Sequence, residues 1–429
     1  MLSGDPTNMQ TTERRTNWAG NLQYRAERLA TPGNLAEAQA IVRSASKLRV
    51  VGSRHCFNDI ADTEGVHLSL ERMNRVLALD ETAKRVTVEG GIRYGELGAY
   101  LHERGYALHN LASLPHISVA GACATATHGS GTLGNLAVAA AAIELIDGAG
   151  ELRTFSRERD GDAFAGTVVN IGALGVVSKL TLDLQPDFDV RQDVFRELPM
   201  ATLEARFDEI MRSGYSVSVF TSWRHDFAEQ VWVKSKVDAD GKSSAPAFPF
   251  GAAAATENLH PIGGLDAVHC TEQMGVAGPA YDRLPHFRMG FTPASGEELQ
   301  VEYFVPRARA AEAIAIMRRE GRRLADVMFM GEIRTIEADD LWLSPCYKTP
   351  CVAFHFSLKQ NWPKVRSILP AIEEALSPLH PKPHWGKMFT MAPRTIREAY
   401  PRFEDFRRLQ ASLDPGGKFR NAFVDRYLA

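Results

Sequence analysis

Three sets of side chains in this sequence are spaced for chemistry. The first centres on His55, in the run Val50-Val51-Gly52-Ser53-Arg54-His55-Cys56-Phe57-Asn58. Gly52 and Ser53 make a tight turn whose backbone N–H groups point outward, a nest suited to a pyrophosphate. A histidine on the rim of such a loop presents a neutral imidazole nitrogen, able to attack an activated carbon of a group whose phosphates the loop holds. The plainer alternative is a loop histidine that only hydrogen-bonds its neighbours.

The second set is Glu332 and Arg334, at i and i+2 of an apolar run that predicts a strand, so both side chains leave one face. His355 and Ser357 repeat the spacing on the next predicted strand. Taken singly, Glu332 and Arg334 are an ion pair of the common surface kind, worth little. Taken together, the two strands present a fork of fixed donors beside several acceptors, which suits a ligand bearing many hydroxyls. The third set is Lys387, in His384-Trp385-Gly386-Lys387. A lysine usually snorkels to the surface. Close to Arg334 and partly desolvated, its pKa instead falls, because both effects disfavour a second positive charge, and it becomes a usable base near neutral pH.

The elements that position these groups follow from the pattern. Asn34 and Glu37 form a capping box, and Leu35, Ala38, Ile41, Val42 and Ala45 make the buried stripe of the helix behind it. This helix feeds the short strand Leu48–Val51 that delivers His55, the grammar of an α/β layer. Strands are predicted at 66–70, 85–89, 138–146 and 176–184, with a helix at 94–104. The stretch 117–134 is rich in Gly, Ala, Ser and Thr, small residues that let backbone approach a ligand. Beyond residue 188 the texture changes. Residues 215–223 alternate Val217 and Val219 with Ser216 and Ser218, predicting an antiparallel strand with one wet face. Residues 242–256 read as a surface loop. Leu299, Val301, Tyr303 and Val305 predict another strand, followed by a helix at 308–323, strands at 327–336 and 351–358, and a helix at 363–376 that Pro370 should kink or begin.

Gly129-Ser130-Gly131-Thr132-Leu133-Gly134 matches the GxGxxG dinucleotide fingerprint, but no strand precedes it and no helix begins inside it. It reads better as a glycine-rich stretch lying along a different cofactor. The 429 residues call for two domains or one interrupted domain. With 49 basic and 52 acidic side chains, a net charge of −3, there is no electrostatic case for nucleic acid or an anionic membrane. Met1 to Arg15 lacks the apolar centre of a leader peptide, and no apolar run reaches the roughly eighteen residues of a membrane span. The five cysteines lack CxxC spacing and read as free thiols in a reducing compartment. A cytoplasmic protein with no metal site is the expectation.

Taken in order along the chain, these motifs resemble the vanillyl-alcohol-oxidase-type flavoproteins, and within them the alditol (xylitol, sorbitol) oxidases. The matching segments are Asn17-Trp18-Ala19-Gly20-Asn21, Gly52 to Asn58, Ala112 to Gly121, Thr127 to Gly131, Gly172 to Val176, Glu332 to Thr335, Trp342 to Pro345, His384 to Lys387 and Asp414 to Asn421. The resemblance implies an α+β, two-domain flavoprotein. Residues 1–188 would form an FAD-binding domain of two α/β subdomains, 189–390 an antiparallel-sheet substrate domain, and 391–429 a C-terminal segment returning to the FAD domain.

It further implies FAD bound covalently to His55 through the 8α methyl. Gly52, Ser53, Arg54, Cys56, Ser113, Ser118, Gly121, Thr127, His128, Gly131, Gly175, Val176 and Asn421 would sit along the cofactor. Ser113, Glu332, Arg334, His355, Ser357 and Lys387 would bind a small polyol, with Lys387 taking the hydroxyl proton, Arg334 stabilising charge on oxygen, and O2 accepting the electrons to give H2O2. A monomer is expected.

Two departures stand out: Arg54-His55-Cys56 replaces a common Gly-His-Ser, and Ser357 replaces a threonine. Leu114 stands near where relatives with a second, cysteinyl flavin bond carry that cysteine, and Cys123 lies too far on, so one covalent link is expected. The rival readings are a sugar-lactone oxidase or dehydrogenase of the same family, and a flavin-binding protein without turnover.

Overall fold

The computed structural model describes residues 15–237, 248–290 and 297–428. The helix Leu35–Ser44 is capped by Asn34, whose side chain accepts from Glu37 N at 3.0 Å. Glu37 reaches back to Gly33 N and to the Asn34 amide instead of the Asn34 backbone, a variant of the expected box. Ala38 and Val42 are fully buried against a three-stranded parallel sheet with Val66–Leu68 between Arg28–Ala30 and Leu48–Val50. A second, antiparallel sheet runs in the order Val76–Asp80, Arg85–Glu89, Val176–Asp183, Ala140–Ile146, Leu152–Ser156. The C-terminal segment packs back here. Leu48 N donates to Lys418 O at 3.0 Å, Arg49 Nη1 to Phe419 O at 2.8 Å, and Phe419 lies in the same apolar cluster as Val42 and Leu48.

The remainder is built on one large antiparallel sheet. Its long strands lie in the order Asp189–Pro199, Phe227–Lys236, Ser216–Thr221, Met328–Ile336, Cys351–Lys359, Glu298–Pro306. Val217, Val219, Ile333, Phe354, Val301 and Tyr303 share its inner face with Ile314 and Met317 of the helix Ala310–Glu320 and with Val365, Leu369 and Ile372 of the helix Trp362–Leu376. Burying this largely apolar face is the main force holding the helices on the sheet. Among the described residues no helix is long and apolar enough to cross a membrane.

Several expectations change. The strand at 216–221 has no wet face: Ser216 and Ser218 are both buried, because the irregular segment after residue 255 covers that side, with Phe220 and Trp232 packed against Ala255 and Cys270. Pro370 does not begin its helix, which runs unbroken from Trp362 to Leu376 with the proline on its exposed side and Pro363 in the first turn. The helix expected at 308–323 is α only over Ala310–Glu320 and tightens to 3₁₀ at both ends. The loop expected at 242–256 lies in part outside the described residues; Ala253–Ala254 of it pairs with the edge of the large sheet.

The glycine-rich stretch is a seam between the two parts. Ser130 Oγ donates to Val217 O, and Thr335 Oγ1 donates to Gly131 O at 3.0 Å. Gly131 has φ +114°, and a Cβ there would lie 2.2 Å from Tyr215 O. Its smallness therefore serves the approach of the Ser216–Thr221 strand. We expect Gly131→Ala to cost at least about 2 kcal/mol of stability, from strain and the displaced strand together. Urea unfolding measures it, and a loss below about 0.5 kcal/mol contradicts this packing.

Candidate active site

One cavity of about 1010 Å³ runs from the Gly52–Phe57 loop, past residues 112–128, to the outer face of the large sheet. The loop is held from three sides. Trp18 N donates to Arg54 O at 2.9 Å, and the Trp18 ring stacks on His55 at 4.7 Å. Ser118 N donates to Ser53 Oγ at 3.0 Å. Phe57 N donates to Gly386 O at 2.7 Å, and the Asn58 amide donates to both Trp385 O and Lys387 O at 2.8 Å. A Cβ on Gly52 would meet Ser118 Oγ at 2.5 Å, so a larger residue there would displace that hydroxyl. Arg54 sits at φ +63°, a conformation costing a non-glycine residue about 1–2 kcal/mol. Burial pushes the His55 imidazole down to about 3, with His116 and Arg54 adding to the effect, so the ring is neutral. The Cys56 thiol beside it is pushed up to about 11 by burial, which makes it inert.

The sheet supplies the second wall. Glu302 pairs with His355, and His355 with Glu332, so three strands set these residues in one row. In the adjoining positions Gln300 opposes Ser357. Ser357 Oγ donates to Glu298 Oε2 at 2.6 Å, and the Gln300 amide donates to Glu298 Oε1 at 2.6 Å. Arg334 Nε lies 3.5 Å from Glu332 Oε1, and its Nη1 approaches Ser113 Oγ at 3.4 Å. Among the described residues neither ring nitrogen of the buried His355 has a hydrogen-bond partner, and the same holds for His116 near His55. Buried polar nitrogens lining a cavity without partners mark where a bound molecule belongs.

Lys387 is brought to Arg334 by the turn after Pro383 and is joined to it through Glu302. Its Nζ donates to Glu302 Oε2 at 2.7 Å, while Arg334 Nη2 donates to Glu302 Oε1 at 3.1 Å. His128 Nε2 lies 3.2 Å from the same Oε1. Burial pushes the Lys387 ammonium below its ordinary value; Glu302 opposes the fall and Arg334 adds to it. Burial alone would raise the Glu302 carboxyl, but Lys387, His128 and Arg334 hold it well below the usual carboxylate range.

Gly52, Ser53, Arg54, His55, Cys56, Ser113, Ser118, Gly121, Thr127, His128 and Gly175 all line the cavity with Glu332, Arg334, His355, Ser357 and Lys387. Three expected cofactor residues do not reach its wall. Gly131 is taken up by the seam with Tyr215, Val176 is buried in the apolar cluster of the first sheet, and the Asn421 amide donates to Asp59 O, Ile60 O and Asp62 O. Glu298, Gln300, Glu302, His116 and His286 belong to the cavity and were missed. The signal for the first three was present, since they alternate with Leu299, Val301 and Tyr303 on the opposite face of one strand.

The cavity stands at the upper end of the volumes that single small ligands occupy, about 300–1,000 Å³, leaving room for a dinucleotide and a small substrate together. The side-chain-free turn at Gly52, the backbone beside Ser118 and the unpartnered nitrogens of His116 fit a flavin dinucleotide laid along the first wall. Among the described residues no cluster of His, Cys, Asp or Glu is placed to hold a metal ion.

Residues 26–156 match the FAD binding domain family, and residues 296–427 the family of D-arabinono-1,4-lactone oxidase. An alditol oxidase of Streptomyces sp. is 45% identical over 95% of this chain and 97% of its own length. An L-gulono-1,4-lactone dehydrogenase of Mycobacterium tuberculosis is 30% identical over 96% of this chain and 98% of its own. Among solved structures, a cholesterol oxidase from B. sterolicum superposes with TM-score 0.77 at 13% identity, each chain covered in full. A carbohydrate oxidase from Microdochium nivale does so with TM-score 0.76 at 13% identity, over 96% of this chain and 94% of that one. These two share the fold.

The cavity histidines carry a measurable cost. Burial, with nearby cations, pushes His55 and His355 down to about 3 and His116 and His286 down to about 4, against an ordinary value of 6.5. The unfolded chain therefore takes up protons first, so the stability these rings contribute is present above about pH 6.5 and is lost as pH falls towards 3–4. Urea unfolding of the apoprotein should show a loss of several kcal/mol across that window, and His116→Phe should flatten the slope.

Proposed function

The chain belongs to the vanillyl-alcohol-oxidase-type FAD flavoproteins, and on that premise we propose that it oxidises the terminal hydroxyl of an alditol such as xylitol or sorbitol to the aldose, with O2 as electron acceptor and H2O2 as second product. One observation carries this reading. A buried row of Glu302, His355 and Glu332, with Arg334, Ser357 and Lys387 beside it, offers donors and acceptors at several points along one wall, as a chain of hydroxyls requires. The 45% identity to an alditol oxidase supports the same substrate class.

In this reading Gly52, Ser53, Ser118, Gly121, Thr127, His128 and Gly175 would hold FAD, and His55 would be the residue that carries it covalently through the 8α carbon. Bound FAD supplies the two-electron acceptor for the hydride leaving the substrate carbon and passes the electrons to O2. Lys387, neutral for part of the time because burial lowers its pKa, takes the proton from the reacting hydroxyl. Arg334 keeps a fixed positive charge against the oxygen as negative charge develops there. Glu332, His355, Ser357 and Ser113 receive the remaining hydroxyls. Such a site discriminates strongly, because a missing hydroxyl leaves one of these buried groups unpaired. The match of residues 296–427 to a lactone oxidase family favours a second reading, oxidation of an aldonolactone at the same site.

Acid precipitation of the purified protein, followed by anaerobic mixing of native protein with xylitol, tests the proposal. A yellow pellet and a flavin bleached by xylitol are expected. A colourless pellet removes the bond to His55, and bleaching by aldonolactones alone replaces the polyol.

The roles of Lys387 and its counter-charge have their own test. Lys387→Met should slow flavin reduction at least about 100-fold; a rate near wild type rules the lysine out as base. Glu302 raises the Lys387 pKa, so Glu302→Gln should move the acidic limb of the kcat/KM–pH profile to lower pH. A limb that stays or moves upward contradicts the assignment.

A further inference from the structure

Lys234, in the strand Phe227–Lys236, is only 1% exposed and does not itself line the cavity, but it lies directly behind His286, which does. A buried ammonium is costly, so its surroundings need a reason. Its Nζ meets three acceptors, Leu284 O, Pro285 O at 2.9 Å and His286 Nδ1 at 3.2 Å, one for each N–H. A protonated Lys234 requires a lone pair on Nδ1, which puts the ring proton of His286 on Nε2. That nitrogen lies 2.9 Å from Glu332 Oε1 and so donates to it.

The ring has little freedom to do otherwise. Phe220 and Trp232 meet it in T-shaped contacts at 5.6 and 5.2 Å, His286 N donates to Ser113 O at 3.0 Å, and His286 O accepts from Thr271 N at 2.9 Å. Glu332 Oε1 is thus occupied by His286, with the Arg334 guanidinium alongside as an ion pair, its Nε 3.5 Å away. Among the described residues its Oε2 is approached by His355 Nδ1 alone, at 3.9 Å, beyond hydrogen-bond reach.

We propose that Lys234 and His286 are positioning residues that cap one oxygen of Glu332 and leave the other as the acceptor for a non-reacting hydroxyl of the substrate. The inference rests on the polyol reading. Glu332 would bind that hydroxyl equally before and during reaction, so loosening it should raise KM and leave kcat nearly untouched.

The test uses the holoenzyme with xylitol and three variants, Lys234→Met, His286→Leu and His286→Gln. Losing one charge-assisted hydrogen bond of this kind should raise KM about tenfold in the first two, with kcat within about threefold of wild type. His286→Gln keeps an amide N–H that can reach Glu332 and should recover KM to within about threefold of wild type. Flavin content and thermal midpoint are read on each variant. An unchanged KM in Lys234→Met and His286→Leu, or a His286→Gln no better than His286→Leu, overturns the inference alone. So does a loss falling on kcat in step with the thermal midpoint. A wild-type enzyme inert towards xylitol overturns the polyol reading and the inference with it.

Discussion

Glu302 is the charge on which the arrangement of the cavity depends. Two cations, the buried Arg334 and the half-buried Lys387, lie close together, and neither would stay there without an anion between them. Glu302 takes one on each oxygen and has His128 beside it as well. Removing one partner from such a buried set typically costs about 3–5 kcal/mol, because the remaining charge is left uncompensated. The same carboxylate also limits how far burial can depress Lys387, and so links the stability of the cavity to the proton affinity of its base.

The large sheet is what makes this charge arrangement possible. Over Glu298–Glu302, Glu332–Arg334 and His355–Ser357 its central strands alternate, so one face is continuous with the helices and the other carries polar groups. Glu298, Gln300 and Glu302 on one strand face Ser357 and His355 on the next, and Glu332 and Arg334 follow. Seven polar side chains are thereby presented without any loop having to hold them. Backbone pairing keeps them in register, the rigid support that a site with several hydrogen bonds needs.

Much of this was legible in the chain. The Leu35–Ser44 helix, the Leu48–Val50 strand and the same-face pairs at 332/334 and 355/357 follow from periodicity and turn residues, whereas placing Lys387 with Arg334 rested on the family resemblance. Glu302 was hidden because its strand was recognised by its apolar face, and nothing local says that the opposite face meets a cavity instead of water. Sheet order hid it further: Cys351–Lys359 lies between Met328–Ile336 and Glu298–Pro306, a crossover that sequence order does not announce. Lys234 and His286 are 52 positions apart, and the second sits in irregular backbone with no period to read. Gly131 misled for the opposite reason, since smallness looks alike whether the close neighbour is a ligand or the backbone at Tyr215.

Asn58 carries a wider consequence. Its amide spans the carbonyls of Trp385 and Lys387, 327 and 329 positions away, while its backbone continues directly from the His55 loop. The loop from the first part and the turn from the second are thus one mechanical piece, although they come from opposite ends of the chain. Grafting the large sheet of a relative onto this amino-terminal part would cut through that piece. Recombination within the family should therefore respect a unit that is contiguous in space and split in sequence, in which the loop and the lysine turn are inherited as a pair.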